Sequence, residues 1–468
     1  MNLAWPWSSK GRVLTEPIVV VIVGAGPAGV RCAERLARAG LRPILIDEAE
    51  RPGGQVYRQP PMGRARTSPA IYGFEASKAE AIHRAIDDVR DLIDYRPRTL
   101  VWNVFGKSLD LLTTEGPRQQ PFDRLVLATG AMDRVLPFPG WTLPGVFTLG
   151  GAQIALKAQG VAIGRRVALV GAGPLLPLVA HQYANAGVDV VAALDATEFA
   201  AKRAQLLGLC ASAGTLAKGL WYTTRNRLRG LAVCYGVRSL RALGNGRVEA
   251  LAWRDASGEE RSVACDAIGA SFGLRTEAQL ADLAGCRFAF AADARQWLPE
   301  KSPEGRSSVA GVYLAGDGAR IGGADVAELQ GRRAALAVLE DLGGAVDPGE
   351  LASLDRALAR QARFRRALDA AYPFPSHLVD AIGDGEIVCR CEGITAAALR
   401  VVARDHGASE VNRVKALTRI GMGRCQGRVC GEAAAELLAR ARGSDLERVG
   451  RLRGQPPVKP IPIVASAR

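Results

Sequence analysis

Apolar residues along this chain come in short continuous runs that end at glycine, the pattern of parallel strands buried on both faces. Ile18-Val-Val-Val-Ile-Val23 runs into Gly24-Ala-Gly-Pro-Ala-Gly29, and a helix-like segment follows to Ala39, stopped by Gly40. Ile44-Leu-Ile46 is a second run, closed by Asp47-Glu48. The order strand, glycine turn, helix, strand, acid predicts a βαβ unit with a dinucleotide fingerprint.

Each glycine has a separate task there. Gly24 makes the tight turn, Gly26 lets backbone approach a pyrophosphate, and Gly29 lets the helix pack closely on the strand. Pro27 and Ala28 lead into the helix, whose first N–H groups and positive dipole face the phosphates. Asp47, with Glu48 beside it, is placed for a carboxylate to accept both ribose hydroxyls. A bare G-x-G-x-x-G also suits a structural turn, but strand, helix and acid together favour binding of an adenine dinucleotide.

Arg124-Leu-Val-Leu-Ala-Thr-Gly130 and Val312-Tyr-Leu-Ala-Gly-Asp-Gly318 read as further strands of the same domain, ending in small-residue turns. Between them lies a second βαβ unit: Arg166-Val-Ala-Leu-Val170, Gly171-Ala-Gly-Pro-Leu-Leu176, then Val188 to Asp195. One domain is thus expected to be inserted in another of similar plan. The second fingerprint is degenerate. Leu176 replaces the third glycine, which would push the helix off its strand or reshape the turn, and Asp195 arrives one residue late. A nicotinamide site and a retained fold without a ligand both stay open here.

From Gly343 the chain becomes rich in Ala, Arg and Leu and reads as helical to Ala371, with a Tyr-Pro-Phe-Pro break at 372–375. Beyond it, Cys389, Cys391, Cys425 and Cys430 read C-x-C-x33-C-x4-C on glycine-rich turns. Thr395 can cap one following helix, and Ala434, Leu437 and Leu438 continue another. Two close pairs of thiolates can close a tetrahedral-sulfur site. Arg390, Arg424 and Arg428, with Arg419 nearby, suit the net negative charge of a [2Fe–2S] centre. A structural zinc and a Cys425–Cys430 redox pair are the alternatives. Zinc knuckles are usually C-x2-C, and a lone pair leaves Cys389 and Cys391 unexplained. The tail Gln455-Pro-Pro-Val-Lys-Pro-Ile-Pro-Ile463 is extended, either a docking arm or a disordered end.

The expected divisions are a tail at 1–17, a dinucleotide domain at 18–140 and 260–340, and a second domain at 141–259. A helical linker at 341–384, a cysteine module at 385–440 and an extended tail at 441–468 complete them. At 468 residues the chain exceeds one core, in keeping with several domains. The net charge of +14 invites a nucleic-acid reading, but arginine far outnumbers lysine and no basic run carries interleaved aromatics. Nucleic acid is therefore set aside. Cys32, Cys210, Cys234, Cys265 and Cys286 are scattered among small or apolar neighbours, and the odd total of nine suits a reducing compartment. No signal-peptide core appears in residues 1–17 and no run is long enough to span a bilayer. The expected location is cytoplasmic, with a peripheral place at the inner membrane face left open.

No Cys pair follows Gly53-Gly54, so a disulfide-reductase mechanism lacks its redox pair, and none of His83, His181, His377 or His406 sits in a motif for a general base. No catalytic residue is assigned.

Gly24–Gly29, Ala128-Thr-Gly130 and Gly316-Asp317 resemble the two-dinucleotide-domain flavoprotein fold of the glutathione-reductase kind, over about residues 18–340. The module at 385–440 resembles the bacterioferritin-associated-ferredoxin (BFD) type of [2Fe–2S] domain. Together with Pro52-Gly-Gly-Gln55, Leu143-Pro-Gly-Val-Phe-Thr-Leu-Gly-Gly151 and the Pro-Pro-Val-Lys-Pro tail, the whole chain is similar to one subunit type. That type is the alpha (A) subunit of heteromeric flavin-dependent dehydrogenases: opine (octopine and nopaline) oxidases, D-hydroxyproline and proline dehydrogenases, and hydrogen cyanide synthase. The implied fold class is α/β, with two Rossmann-like domains, one inserted in the other, and a small helical [2Fe–2S] domain at the C-terminus.

The resemblance implies FAD and a [2Fe–2S] cluster as cofactors. Asp47 would bind ribose, Gly54 and Gln55 would lie near the flavin or phosphate end, Thr129 and Gly130 would line the same cleft, and Gly316 and Asp317 would meet the ribityl chain. It further implies a flavin-containing catalytic beta subunit that oxidises a C–N bond, a small ferredoxin-like subunit, and a downstream electron acceptor such as a quinone. Whether the first site takes FAD or only an adenine nucleotide, and whether an FMN is shared at a subunit interface, are not fixed by the residues. The alternative reading is a self-contained NAD(P)H-dependent FAD/[2Fe–2S] reductase.

Overall fold

The computed structural model describes residues 18–61, 71–231 and 233–462. The tail expected at 1–17 and the end of the C-terminal tail, 463–468, lie outside the described residues.

Val20–Val23 is the central strand of a five-stranded parallel sheet in the order Val312–Leu314, Arg124–Leu127, Val20–Val23, Ile44–Ile46, Asp94–Arg96. All four of its residues are buried, which is why the run has no polar alternation. The helix Pro27–Arg38 follows with Pro27 at its first turn, where a missing N–H costs nothing. It packs on helix Ala324–Asp341 at very short range: a Cβ on Gly331 would stand 2.0 Å from the Ala28 carbonyl oxygen. An antiparallel meander, Leu100–Phe105, Ser108–Thr113 and Gly116–Pro121, is inserted in sequence between strands Asp94–Arg96 and Arg124–Leu127.

The second unit is also a parallel sheet, ordered Val233–Tyr235, Asp189–Asp195, Arg166–Gly171, Ala267–Ser271, Val146–Thr148. Its boundary differs from the one expected at 259. Strand Ala267–Ser271 pairs with Arg166–Gly171, so the unit runs on to Ser271. The expected cut falls in the turn of an antiparallel pair, Ala250–Arg254 with Glu260–Ala264, whose strands cannot be shared between domains. Chain exit and return are tied by a two-stranded crossing, Ala131–Asp133 with Leu274–Thr276.

Helix Pro348–Ala371, capped by Asp347 through the Gly349 and Glu350 amides, leads to the C-terminal unit. There a short pair, Ile387–Cys389 with Ile394–Thr395, precedes helices Ala396–Asp405, Val411–Thr418 and Gly431–Arg442. Thr395 caps the first of these through the Ala398 amide. The unit does not hang free. Val388, Leu399 and Leu437 share one apolar core with Leu136, Phe138 and Trp141 of the preceding unit, and the Trp141 indole donates to the Ile387 carbonyl at 2.7 Å.

Candidate functional site

Three turns converge at the C-terminal end of the first sheet. At Gly24, with φ +104°, a side chain would meet the Ala128 carbonyl oxygen at 2.3 Å, and at Gly29 it would meet the Gly24 carbonyl oxygen at 1.8 Å. Gly54 brings the third turn against the fingerprint, where an added Cβ would lie 2.7 Å from the Gly26 Cα and 3.6 Å from Pro27 Cδ. The Gly53 amide donates to the Ala25 carbonyl at 2.9 Å and fixes that approach. The result is a backbone-lined cradle at a helix N-terminus, the arrangement that admits a pyrophosphate. Gln55 lies exposed beside it, its side-chain oxygen accepting from Arg58.

The acid expected to meet the ribose is held by backbone amides. Asp47 turns inward: one oxygen accepts from the Ala25 amide at 2.5 Å and the other from the Ala49 amide at 2.6 Å. Burial raises its pKa against the pull of those two amides. Asp47 therefore braces the fingerprint turn, while Glu48, about half exposed, stands at the rim paired with Lys459 of the tail. Sequence spacing could not choose between neighbours whose side chains point to opposite sides.

Thr129, Gly130, Gly316 and Asp317 close the opposite wall. Asp317 accepts from the Gly322 and Gly323 amides at 2.8 and 2.9 Å, and burial raises its pKa. Thr129 donates to the Glu277 carbonyl and the Glu277 amide donates to the Gly130 carbonyl. Lys157, which no sequence motif marks, is buried in a π-helical turn (Ala155–Gln159) and donates to the Val56 carbonyl at 3.0 Å, just past the Gly53-Gly54-Gln55 turn. Burial lowers its pKa to about 7.

At the second fingerprint Gly173 faces open space, but the third position and the acid are engaged. Leu176 is buried in the core of its own unit with Val167, Leu169 and Val179. Asp195 accepts from the Thr197 amide and hydroxyl at 2.9 and 2.6 Å and from Lys202 Nζ at 2.9 Å. Lys202 in turn lies 4.5 and 4.6 Å from the rings of Tyr235 and Tyr372.

The four C-terminal thiols are free and neighbour one another: Cys430 shares hydrogen bonds with Cys389 and Cys425, and Cys391 with Cys425. Among the described residues no three His, Cys, Asp or Glu side chains surround a single ion-sized point. The Cys430 thiol bond brings Cys389 down to about 6, opposed by burial and helped by the Gly421, Glu392 and Cys391 amides. At Cys425 the Cys430 bond again leads, with the Val429 and Gly427 amides adding to it, and the thiol falls to about 5. Inward amides of this kind suit sulfurs carrying negative charge. A Cβ on Gly423 would stand 2.3 Å from Cys391 Cβ, and one on Gly427 would stand 2.7 Å from Leu452 of the tail, so these glycines are needed for the turns to close.

The two sites are held together. Arg428 Nε donates to Glu277 Oε2 at 2.7 Å. Glu436, fully buried on helix Gly431–Arg442, takes Arg295 at 2.9 Å and Arg134 at 3.5 Å. Asp282 accepts from Arg451, Arg453 and the Gly454 amide, pinning the tail on the first unit. None of these acids carries a sequence signature, because the partners just named lie at least 141 positions away along the chain.

Comparison with known proteins agrees with this architecture. Residues 18–331 match the pyridine nucleotide-disulphide oxidoreductase family, and residues 387–440 match the BFD-like [2Fe-2S] binding domain. The A subunit of opine oxidase from Rhizobium meliloti is 36% identical over 98% of this chain and 89% of its own length. Hydrogen cyanide synthase subunit HcnB of Pseudomonas aeruginosa is 34% identical over 95% of this chain and 97% of its own. In fold, L-proline dehydrogenase from P. horikoshii superposes with a TM-score of 0.72 at 21% identity, covering 97% of this chain and 80% of that one. The cradle and the thiol turns fit the two cofactors these matches indicate, FAD and a [2Fe–2S] cluster. Among the described residues, no helix is long and apolar enough to cross a membrane. The chain belongs to the pyridine nucleotide-disulphide oxidoreductase family, in the group that includes the A subunit of opine oxidase, and is an oxidoreductase ending in a BFD-like [2Fe–2S] domain.

Proposed function

We propose that this chain is the electron-transfer subunit of a heteromeric dehydrogenase whose flavin-bearing partner oxidises the C–N bond of an amine, imino acid or opine. Gly24, Gly26, Pro27, Ala28, Gly29 and Gly54 would hold the pyrophosphate, Glu48 would meet the ribose from the rim, and Asp47 would keep the turn in shape. Gln55, Thr129, Gly130, Gly316 and Asp317 would line the remainder of the cleft. Cys389, Cys391, Cys425 and Cys430 would be the ligands of the cluster. Bound there, the flavin would accept electrons in pairs and the cluster would pass them singly. The chain's own part is to bury Cys389 and Cys430, fix the distance between the sites through Glu277 and Arg428, and deliver electrons to an acceptor.

The observation that carries this reading is the engaged acid of the second fingerprint. Asp195 is engaged by Lys202 and Thr197 and Leu176 lies in the core, which disfavours a ribose contact from Asp195. This favours entry of electrons from a partner, which the subunit names of the relatives support. A cytoplasmic location, in reach of reduced metabolites, goes with this role. The test is to assay amine-dependent dye reduction by the chain alone and by the chain with its partner subunit. Activity only in the mixture supports the proposal; full-rate oxidation by the chain alone overturns it.

A further inference from the structure

A cavity of about 330 Å³ lies between the second sheet and the cysteine turns. Phe138, Trp141, Phe147 and Phe272 line one side of it, and Val429, Cys391, Cys425 and Cys430 supply the side nearest the thiols. Thr148 and Ala270 place it at the carboxyl ends of strands Val146–Thr148 and Ala267–Ser271. That edge is where doubly wound sheets bind their ligands.

The lining defines the ligand's chemistry. Trp141 spends its N–H on the Ile387 carbonyl, and Thr148 spends its hydroxyl oxygen on the Gly151 amide. Arg390 remains, exposed at the rim beside the exposed Cys391, with no hydrogen bond or ion pair to another described residue. Four aromatic rings and one unpaired guanidinium suit a flat, uncharged ring bearing a carbonyl oxygen. A flavin's pyrimidine edge would need several donors and acceptors that this wall does not offer.

We propose that this cavity binds a quinone headgroup and is the exit for electrons leaving the thiol site. The inference rests on the electron-transfer reading above. The balance is simple. Oxidation of CH–NH to C=N on the partner releases two electrons and two protons. Two electrons, passed one at a time beside Cys391, and two protons from solvent at the open rim convert quinone to quinol. Arg390 holds the carbonyl oxygen that gains charge.

Equilibrium dialysis of the full-length chain, as purified with its cofactors, against ubiquinone-1 tests the site without turnover. Failure of the site and failure of the electron-transfer reading therefore give different results. Saturable binding is expected, weakened at least about tenfold by Phe147→Asp, which puts a charge in the apolar wall. Phe147→Tyr should retain it, as should Phe105→Asp on the meander of the first unit. Should the aspartate variant fail to fold, Phe147→Ala removes the ring without a charge and should also weaken binding. No saturable binding, equal binding to the Phe147 variants and the parent, or Phe147-dependent binding of riboflavin in place of quinone would each overturn the assignment.

Discussion

Arg428, on the turn between Cys425 and Cys430, donates its Nε to Glu277 Oε2 at 2.7 Å, and the backbone of Glu277 is bonded to Thr129 and Gly130 at the nucleotide cradle. One residue thus touches both ends of the electron route. Its side chain and that of Arg428 are 11% and 7% exposed, so neither charge can be left to water. Glu277→Ala should destabilise docking of the C-terminal unit by about 3–5 kcal/mol, because it strands a buried guanidinium. Adding Arg428→Met should recover part of that loss. A thermal melt followed by visible absorbance of the cluster reads both variants, and additive losses in the double variant would show that the pair is not coupled.

The tail is a clamp. Leu452 fills the space left by Gly421 and Gly427, and Arg451 and Arg453 meet Asp282. Burial alone would raise the Asp282 pKa, yet Arg451, the Gly454 amide and Arg453 hold it below the usual carboxylate range. A carboxyl lowered in this way contributes its full stability above its unfolded value and loses it as pH falls through the folded one. Docking should therefore be complete at neutral pH and weaken only in acid. Asp282→Asn should release the tail at pH 7, seen as faster tryptic cleavage after Arg451 and Arg453, with little further effect of acid.

At Gly29 and Gly54 the cradle leaves no room for a methyl group. Gly29→Ala would place Cβ 1.8 Å from the Gly24 carbonyl oxygen, and Gly54→Ala would press on the Gly26 Cα at φ +60°. Either variant should be purified with less than about a tenth of the parent's flavin per chain while keeping its iron, a loss of at least about 1.4 kcal/mol of binding. Flavin and iron content on the same sample decide the matter, since equal loss of both would indicate global misfolding.

Restoring the missing glycine should not restore a nicotinamide site. Leu176→Gly removes a fully buried side chain, costing about 2–5 kcal/mol for the cavity and about 1 kcal/mol more for glycine in a helix. Asp195 would still be held by Lys202. The variant is expected to melt lower than the parent and to show no gain in NADH affinity by fluorescence titration. A clear gain would mean that Leu176 by itself blocks the site.

Much of this architecture is legible from short-range pattern. The run Ile18 to Val23 names a central strand because a strand buried on both faces has no polar alternation, and Gly24 and Gly29 name its turn because only glycine fits their contacts. The pairing of Ala267–Ser271 with Arg166–Gly171 is not legible, since an intervening antiparallel meander hides the return to the parallel sheet. Asp47 and Glu48 show the same limit at a finer scale. Spacing finds the acidic corner, but the Ala25 and Ala49 amides decide which acid turns inward. Glu277, Asp282, Glu436 and Lys157 are invisible in sequence, because burial gives each its meaning and their partners come from distant segments.

The central claim is that electrons enter from a partner subunit and not from a nicotinamide. Anaerobic titration of the purified chain, followed by visible absorbance and by the low-temperature electron paramagnetic resonance of the reduced cluster, tests it directly. NADH and NADPH should leave both signals unchanged, and adding the partner subunit with an amine substrate should reduce the cluster. Bleaching of the flavin followed by cluster reduction with NADH alone would contradict the account and return the second fingerprint to service.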